Sequence, residues 1–291
     1  ECLPSVVAAA PASHHRCDVI VIDNDSDDDS VVWLEEHYPE VRVVVRPNRG
    51  LCSYNEVAAG LDSPIVVLLN NDIKLDAFCL DPLVEPLLDG SGGCFLTAPM
   101  CRRFDSAAYE GCRASVVWRW GLVQSTTLFA GHEAVIDQPG PTASAGAVMA
   151  VDREKFVALG GFDPLYLPGR LEDLDLAFRA HQAGYYALYV PEALAWHRGM
   201  ATFAAVFGAD GCDHLALRNT LLFQWKNLRH PRHVARQVVQ LPIRLAADAV
   251  RAIWVGRGRR WAFARALAAA VGRWDRVGGG SSHSAARDLR R

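Results

Sequence analysis

The stretch Ile65-Val66-Val67-Leu68-Leu69-Asn70-Asn71-Asp72 joins a β-branched apolar run to a polar turn. A short, continuously apolar run is typical of a strand in a parallel sheet that is covered on both faces. Similar runs occur at residues 19–22 and 41–45, and the segments Ser30–His37 and Tyr54–Leu61 between them carry helical patterns. Strands that alternate with helices of this length indicate βαβ units. The sequence therefore predicts an α/β domain with a mostly parallel central sheet.

Polar loops follow all three of these strands, at residues 23–30, 46–50 and 70–72. Ligands of open parallel sheets bind outside the carboxyl ends of the strands, so these loops should line one site. None of them has the Gly-x-Gly-x-x-Gly pattern of a dinucleotide-binding turn, which argues against a dehydrogenase. Asn70 and Asp72 point to the same side of their segment and suit a divalent cation between carboxylate and phosphate, although Asn-Asn-Asp is also ordinary turn chemistry.

Composition favours one large domain with an appendage, because 291 residues with 51% hydrophobic side chains can bury a full core. No apolar run is long enough to span a bilayer, and Glu1–Pro4 does not resemble a secretory signal. The eight cysteines show no Cys-x-x-Cys pair, so we expect reduced, mostly buried thiols. These features predict a cytoplasmic protein.

The second half of the chain holds a cluster of groups suited to acid–base and metal chemistry. Gly160-Gly161-Phe162-Asp163 is followed by Glu172-Asp173-Leu174-Asp175 and, further on, by His197. Adjacent carboxylates and a histidine can move protons or bind a metal. Carboxylates that open a helix are also stabilised by its dipole in any protein, so the cluster alone leaves both interpretations open.

Taken together, these motifs resemble family 2 glycosyltransferases of the GT-A fold. The likeness covers roughly residues 1–200 in the order of the family and is closest to the bacterial polysaccharide branch that includes rhamnosyl- and galactofuranosyltransferases. It rests on the following segments: Asp23-Asn24, Asn48-x-Gly50, Asn55, Leu68 to Asp72, Gly146-Ala147, Gly160 to Asp163, Glu172 to Leu176, Arg179, Ala183-Gly184, Pro191-Glu192-Ala193 and His197.

The resemblance implies roles residue by residue. The donor would be a UDP-, dTDP- or GDP-linked sugar, and its nucleotide would contact Asp23, Asn24, Asn48, Gly50, Asn55, Asn70 and Asn71. A Mn²⁺ or Mg²⁺ ion would bind Asp72, Asn70 and His197, where Asn70 replaces the carboxylate that the family usually has. Asp173 would be the general base of an inverting transfer, and Glu172 would orient either the acceptor or Asp173. Gly160 and Gly161 would form a turn beneath the acceptor pocket.

Two further interpretations concern side chains near these motifs. Trp118 and Trp120 can form a stacking platform for a glycan or lipid-linked acceptor, although packing within the fold explains them as well. Asp175 is expected to pair with Arg179 one helical turn away rather than to take part in catalysis.

The family also usually opens with an apolar strand, whereas this chain begins within the helix that follows that strand. We therefore also expect an incomplete donor site.

The C-terminal part of the chain is strongly basic. Residues 226–291 hold 15 Lys and Arg against 3 Asp and Glu, which leaves a net charge of −15 on the rest. His214–Asn227 and Val234–Trp254 show amphipathic helical patterns. We expect domains at 1–205 (catalytic), 206–275 (basic helices) and 276–291 (disordered). Residues 226–265 either dock on the inner face of the plasma membrane or cap the catalytic domain, and no nucleic-acid recognition module accompanies the charge.

Two alternative functions remain open from the sequence. Residues 19–26 also resemble the strand and Asp-x-Asp nucleophile of haloacid-dehalogenase-type phosphatases, with Asp23 as nucleophile and Asp25 as acid. That interpretation leaves residues 160–197 unexplained. The other alternative is a degenerate, non-catalytic GT-A domain that only binds partners, which the absence of the first strand favours.

Overall fold

A computed structural model of the chain describes residues 2–90, 92–104, 106, 108–199, 201–254 and 261–273. The helices are α1 (Cys2–Ala12), α2 (Ser30–His37), α3 (Ser53–Ala59), α4 (Leu80–Leu88), α5 (Arg153–Ala158), α6 (Glu172–Gln182), α7 (Ala201–Asn227), α8 (Pro231–Trp254) and α9 (Ala262–Val271). The strands are β1 (Ile20–Asp23), β2 (Arg42–Val45), β3 (Ile65–Leu69), β4 (Ile73–Leu75), β5 (Cys94–Arg103), β6 (Tyr109–Gly111), β7 (Ser115–Arg119), β8 (Leu122–Thr126), β9 (Gly140–Pro141), β10 (Val148–Asp152) and β11 (Tyr186–His197). The predicted α/β class is confirmed.

The central sheet is mixed, so the expectation of a mostly parallel sheet is wrong in this respect. Its main path is β3-β10-β5-β11-β4, with β6 on β5 and β9 on β11. Within the described part of this sheet, only the β5–β11 pair is parallel, and β10 runs antiparallel to both β3 and β5. The long segment after β5, rather than a crossover helix, leads into β10, which allows it to enter the sheet in the opposite direction.

The first two strands form a separate parallel pair, with Ile20 opposite Arg42 and Asp23 opposite Val45. Within the described residues, no strand joins β1 to β3. Residues 19–22 of the β1 segment and residues 65–69 of β3 line the same large cleft. The cleft continues from there past the carboxyl end of β3 to the functional site.

Two hydrophobic cores support this arrangement. The first lies under the main sheet around Phe95, Leu96, Met149 and Phe156, all at most 2% exposed. The second joins β8 and the segment before α6 to the C-terminal helices through Leu122, Val123, Leu165, Tyr166, Leu174, Leu221, Leu222, Phe223 and Phe263. The C-terminal helices α7 and α9 are therefore packed against β8 and the segment around the start of α6.

The predicted amphipathic helices correspond to α7, which is kinked at Gly208, and to α8. Residues 276–291, predicted to be disordered, lie outside the described residues. Among the helices that the structure describes, none is long and apolar enough to cross a membrane. All eight cysteines are free and six of them are buried, as expected.

Candidate functional site

The cleft brings together most of the side chains that the sequence singled out. Nine of the predicted site residues line it: Asn24, Asn48, Gly50, Asn70, Asn71, Asp72, Glu172, Asp173 and His197. They come from the ends of β1, β2, β3 and β11 and from the start of α6. Residues far apart in sequence therefore meet at one face of the molecule, as the strand-end argument predicted.

Gly50 is fixed in place by its neighbours on both sides of the cleft. Its amide donates to Oδ1 of Asn48 at 3.2 Å. Its φ of +52° is unfavourable for other residues, and a Cβ atom would lie 3.1 Å from the carbonyl oxygen of Pro168. Glycine at this position lets the loop after β2 approach the segment that precedes α6.

Two residues predicted to bind the nucleotide have their polar atoms engaged within the protein. The carboxylate of Asp23, 8% exposed, accepts hydrogen bonds from the amide and the hydroxyl of Ser26. Asn55 donates to the carbonyl oxygen of Phe162 at 2.8 Å and accepts from its amide at 2.9 Å. Neither residue lines the cleft. The assignment of Asn55 to the nucleotide pocket is therefore corrected, because its amide group holds the turn at residues 160–162.

That turn explains the two adjacent glycines. Gly160 and Gly161 have φ values of +80° and +63°, and a Cβ atom on Gly161 would lie 2.3 Å from Oδ1 of Asn55. The predicted tight turn is present. However, neither glycine is among the described residues that line the cleft, so contact with an acceptor stays a prediction.

Asp72 and His197 form the predicted pair at the ends of β3 and β11. Nε2 of His197 lies 3.3 Å from Oδ2 of Asp72, and its Nδ1 lies 3.2 Å from Oε1 of Glu110. Burial opposes the charged imidazole, but the hydrogen bond and charge of Asp72, and then the charge of Glu110, hold the pKa of His197 above its ordinary value. Oδ1 of Asp72 is buried and has no hydrogen-bond partner among the described residues.

The structure describes no group of three His, Cys, Asp or Glu side chains arranged to hold a metal. The pair nevertheless fits a divalent cation, because a buried carboxylate oxygen without a partner is costly unless something neutralises it. Mg²⁺ is usually bound by one or two carboxylates together with substrate phosphates. Asn70 lines the same part of the cleft.

The adjacent carboxylates stand at the first turn of α6, where the backbone is strained. Arg170 and Leu171 have φ values of +83° and +70°, which are unusual for residues with side chains. Asp173 accepts a 2.9 Å hydrogen bond from the amide of Gly146 through Oδ2. Burial, and then the charge of Asp173, raise the pKa of Glu172 to about 7. Glu172 is therefore protonated in part of the molecules near neutral pH, as a group that donates a proton or a hydrogen bond in an acid–base site can be.

Helix α7 holds this strained segment. Nδ2 of Asn219, which is fully buried, lies 2.8 Å from the carbonyl oxygens of Tyr166, Gly169 and Arg170. Arg218 donates to the carbonyl oxygen of Leu167 at 2.7 Å. Helix α7 thus contributes to the position of Glu172 and Asp173.

Asp175 has a structural role, as predicted. It is fully buried and accepts a 2.7 Å hydrogen bond from Nε of Arg179. Burial favours the neutral acid, yet Arg179 and Lys226 hold the pKa of Asp175 below its ordinary value. Asn227 and Tyr166 also donate to this carboxylate. The cluster fastens the end of α7 to α6.

The two tryptophans predicted as an acceptor platform lie elsewhere. Trp118 stacks on His233 at 5.2 Å and lies under the guanidinium of Arg236. Trp120 is 73% exposed in the turn between β7 and β8. Neither belongs to the described lining of the cleft, so the structure favours the alternative of packing for Trp118.

Sequence reasoning missed Glu110, Gly146 as a hydrogen-bond donor, and Asn219. Glu110 reaches His197 because β6 pairs with β5, which lies next to β11. No local pattern marks Glu110 as part of the site. Asn219 sits in an apolar helical segment, and an uncharged polar residue among Leu217, Leu221 and Leu222 is the one sequence feature that pointed to a buried role.

Comparisons with known proteins agree with this arrangement. Residues 1–144 match the family described as Glycosyl transferase family 2. N-acetylglucosaminyl-diphospho-decaprenol L-rhamnosyltransferase of Mycobacterium tuberculosis is 25% identical over 246 residues, covering 75% of this chain and 77% of that protein. A putative polypeptide N-acetylgalactosaminyltransferase 10 of Drosophila melanogaster is 23% identical, and only 36% of its length is covered.

Two solved structures share the fold. GalNAc-T7 with UDP, GalNAc and Mn²⁺ has a TM-score of 0.54 at 17% identity, covering 77% of this chain and 47% of the other. The mannosyltransferase PcManGT of Pyrobaculum calidifontis, in complex with GDP-Man and Mn²⁺, has a TM-score of 0.51 at 18% identity and covers 99% of this chain and 73% of the other. The fold is GT-A, which does not support the alternative of a haloacid-dehalogenase-type phosphatase. The chain is a glycosyltransferase whose residues 1–144 match family 2, and it resembles the bacterial rhamnosyltransferase branch of that family.

Proposed function

We propose that this glycosyltransferase transfers a sugar with inversion, from a nucleoside-diphosphate donor to a glycan or lipid-linked acceptor, and that it depends on Mn²⁺ or Mg²⁺. One observation carries the proposal. The fixed carboxylate of Asp173 and the pair of Asp72 and His197 line the same cleft, which supports a base and a diphosphate-binding group that act on one bound donor.

Asp72 and His197 would hold the cation, with Asn70 beside them. The buried, unpartnered Oδ1 of Asp72 supports this assignment. A bound divalent cation neutralises charge that develops on the leaving diphosphate. Asn71, Asn24, Asn48 and Gly50 line the adjoining part of the cleft and would contact the nucleotide, the sugar or both.

The proton of the acceptor hydroxyl goes to Asp173. The amide of Gly146 already donates a hydrogen bond to Oδ2 of Asp173. Oδ1 would therefore take the proton as the acceptor oxygen forms a bond to the anomeric carbon. The bond from that carbon to the diphosphate oxygen breaks, and its electron pair leaves with the diphosphate. Glu172, with its pKa raised to about 7, retains a proton in part of the molecules and can donate a hydrogen bond to the acceptor.

The acceptor class is proposed from similarity. The M. tuberculosis relative is named as a rhamnosyltransferase that acts on a diphospho-decaprenol-linked sugar. By analogy, we assign this chain to cell-envelope polysaccharide synthesis at the cytoplasmic face of the plasma membrane. The basic C-terminal helices, which lie beside the cleft, are consistent with an acceptor held at a membrane.

A thermal-shift screen of UDP-, dTDP- and GDP-sugars, each with and without Mn²⁺, tests the proposal. We expect one nucleotide class to raise the melting temperature only with the metal, and the same donor to release its nucleoside diphosphate when acceptor is added. A non-catalytic binding domain would show the shift without release. If no nucleotide shifts the melting temperature, the proposal is wrong.

A further inference from the structure

The outward side of α8 exposes an unusual row of apolar side chains. Val234, Val238, Val239, Ile243, Val250 and Ile253 are between 47% and 74% exposed. Pro242, Ala246 and Ala247 between them are exposed as well. The row runs for about 28 Å along the helix, at 1.5 Å per residue. Single exposed apolar residues are common, but a continuous row on one helix marks an interaction surface.

The inner side of the same helix is already in use. Leu241 and Leu245 pack into the second core, and Arg244 donates to the carbonyl oxygen of Trp120. Asp248 is buried and accepts a hydrogen bond from the amide of Ala264. The row of exposed apolar side chains is therefore not the face that holds α8 in the fold.

The charged residues of α8 indicate which kind of surface its outward side binds. The exposed charged residues of α8 are all cationic, namely Arg232, Arg236 and Arg251, because its one acidic residue, Asp248, is buried. Residues 226–291 as a whole carry a net charge of +12. A helix that exposes apolar side chains together with arginines, and no exposed acidic residue, suits an anionic lipid surface, in which the apolar side chains enter the acyl boundary and the arginines interact with the headgroups.

We propose that the outward side of α8 docks this protein on an anionic lipid bilayer, with the helix lying in the plane of the interface. Asp248 and Arg251 of α8, together with Val206 and Phe207 of α7, line one end of the cleft that also contains Asp173. Helix α8 therefore borders the cleft as well as the proposed docking surface. The inference concerns attachment and does not depend on the proposed transfer reaction.

Flotation with vesicles tests the surface directly. The full chain is mixed with vesicles of phosphatidylcholine alone or of equal parts phosphatidylcholine and phosphatidylglycerol. We expect the full chain to float with the anionic vesicles and to float less at high salt. In the Val239→Glu/Ile243→Glu variant, the fraction of protein that floats should fall by roughly tenfold or more. The matched control Phe78→Glu/Val157→Glu, which adds the same charge at exposed apolar positions of the catalytic half, should float like the parent.

Three results would overturn the proposal: no flotation of the parent chain, equal flotation of the α8 variant, or a parent dimer that the α8 variant converts to monomer. The last result would mean that a second copy covers this face. Thermal shifts with nucleotide should be equal in the parent and the α8 variant, which separates a failure of docking from a failure of the proposed function.

Discussion

The amide of Gly146 donates a 2.9 Å hydrogen bond to Oδ2 of Asp173, which ties the loop before β10 to the first turn of α6. Gly146 has a φ of +68°, a conformation that glycine adopts without strain. The bond fixes one oxygen of the carboxylate and orients the other. A base held in this manner needs little reorganisation when it takes a proton.

Replacement of Asp173 by Asn should lower kcat by about 10²–10⁴-fold, because the amide cannot accept the proton, while nucleotide affinity should change little. Transfer rates and calorimetric titration with the nucleoside diphosphate measure the two quantities. Asp62→Asn, at an exposed position, is the control and should leave both unchanged. An unchanged kcat in Asp173→Asn would show that Asp173 is not the general base.

Glu172 should make stability depend on pH. Its folded-state pKa of about 7 lies above the ordinary value of 4.5, so the stabilisation it contributes is present below pH 4.5 and is lost as the pH rises through 7. Glu172→Gln should therefore match the parent in stability at low pH and exceed it by about 3 kcal/mol at pH 8. Urea unfolding at both pH values measures the difference.

Glu85→Gln, on the exposed side of α4, is the matched control and should give the same small difference at both pH values. A difference for Glu172→Gln that does not vary with pH would show that the carboxyl group titrates normally in the folded protein.

Asn219 should matter for catalysis although it lies outside the cleft. Asn219→Ala removes the donor that holds three carbonyl oxygens before α6, so we expect a loss of about 2–4 kcal/mol in stability and a lower kcat. Gln224→Ala is the matched control, because this buried amide on the same helix bonds instead to Gly121 and Val123. It should cost similar stability and spare kcat. Equal losses of kcat in both variants would contradict a specific role for Asn219.

Glu110 should support the cation through His197. A histidine ligand whose second nitrogen contacts a carboxylate is held in one orientation, and loss of such a partner commonly weakens metal binding. Glu110→Gln should therefore reduce Mn²⁺ affinity by about 10–100-fold in a calorimetric titration. Glu133→Gln, an exposed position in the same long segment, should bind as the parent does. An unchanged Mn²⁺ affinity in Glu110→Gln would show that Glu110 does not support the cation through His197.

Much of the fold follows from local sequence patterns. Helix α2 spans the residues that its pattern indicated, and β1 and β2 differ from their apolar runs by one residue at the ends. The direction of β10 could not be predicted in this way, because strand direction depends on the path of the long segment before it rather than on its own residues. Local periodicity carries no information about that path.

The lining of the cleft was predictable where its residues follow strands or open a helix, as Asp72, His197 and Asp173 do. It was not predictable where a contact depends on pairing far along the chain. Asn55 resembled a nucleotide ligand, yet the distance of 107 residues to Phe162 concealed its actual partner. Trp118 likewise meets His233 and Arg236 from a helix that begins more than a hundred residues later.

The central claim is that Asp72 and His197 bind a nucleoside diphosphate through a divalent cation in the cleft. Calorimetric titration with UDP, dTDP or GDP, in Mn²⁺ and then in excess chelator, tests it most directly for the parent and for Asp72→Asn. We predict that the parent binds the nucleoside diphosphate in Mn²⁺. Its affinity should fall by about tenfold or more in chelator, and the affinity of Asp72→Asn in Mn²⁺ should be lower by a similar factor. Equal affinity with and without the metal, or in Asp72→Asn, would contradict the account.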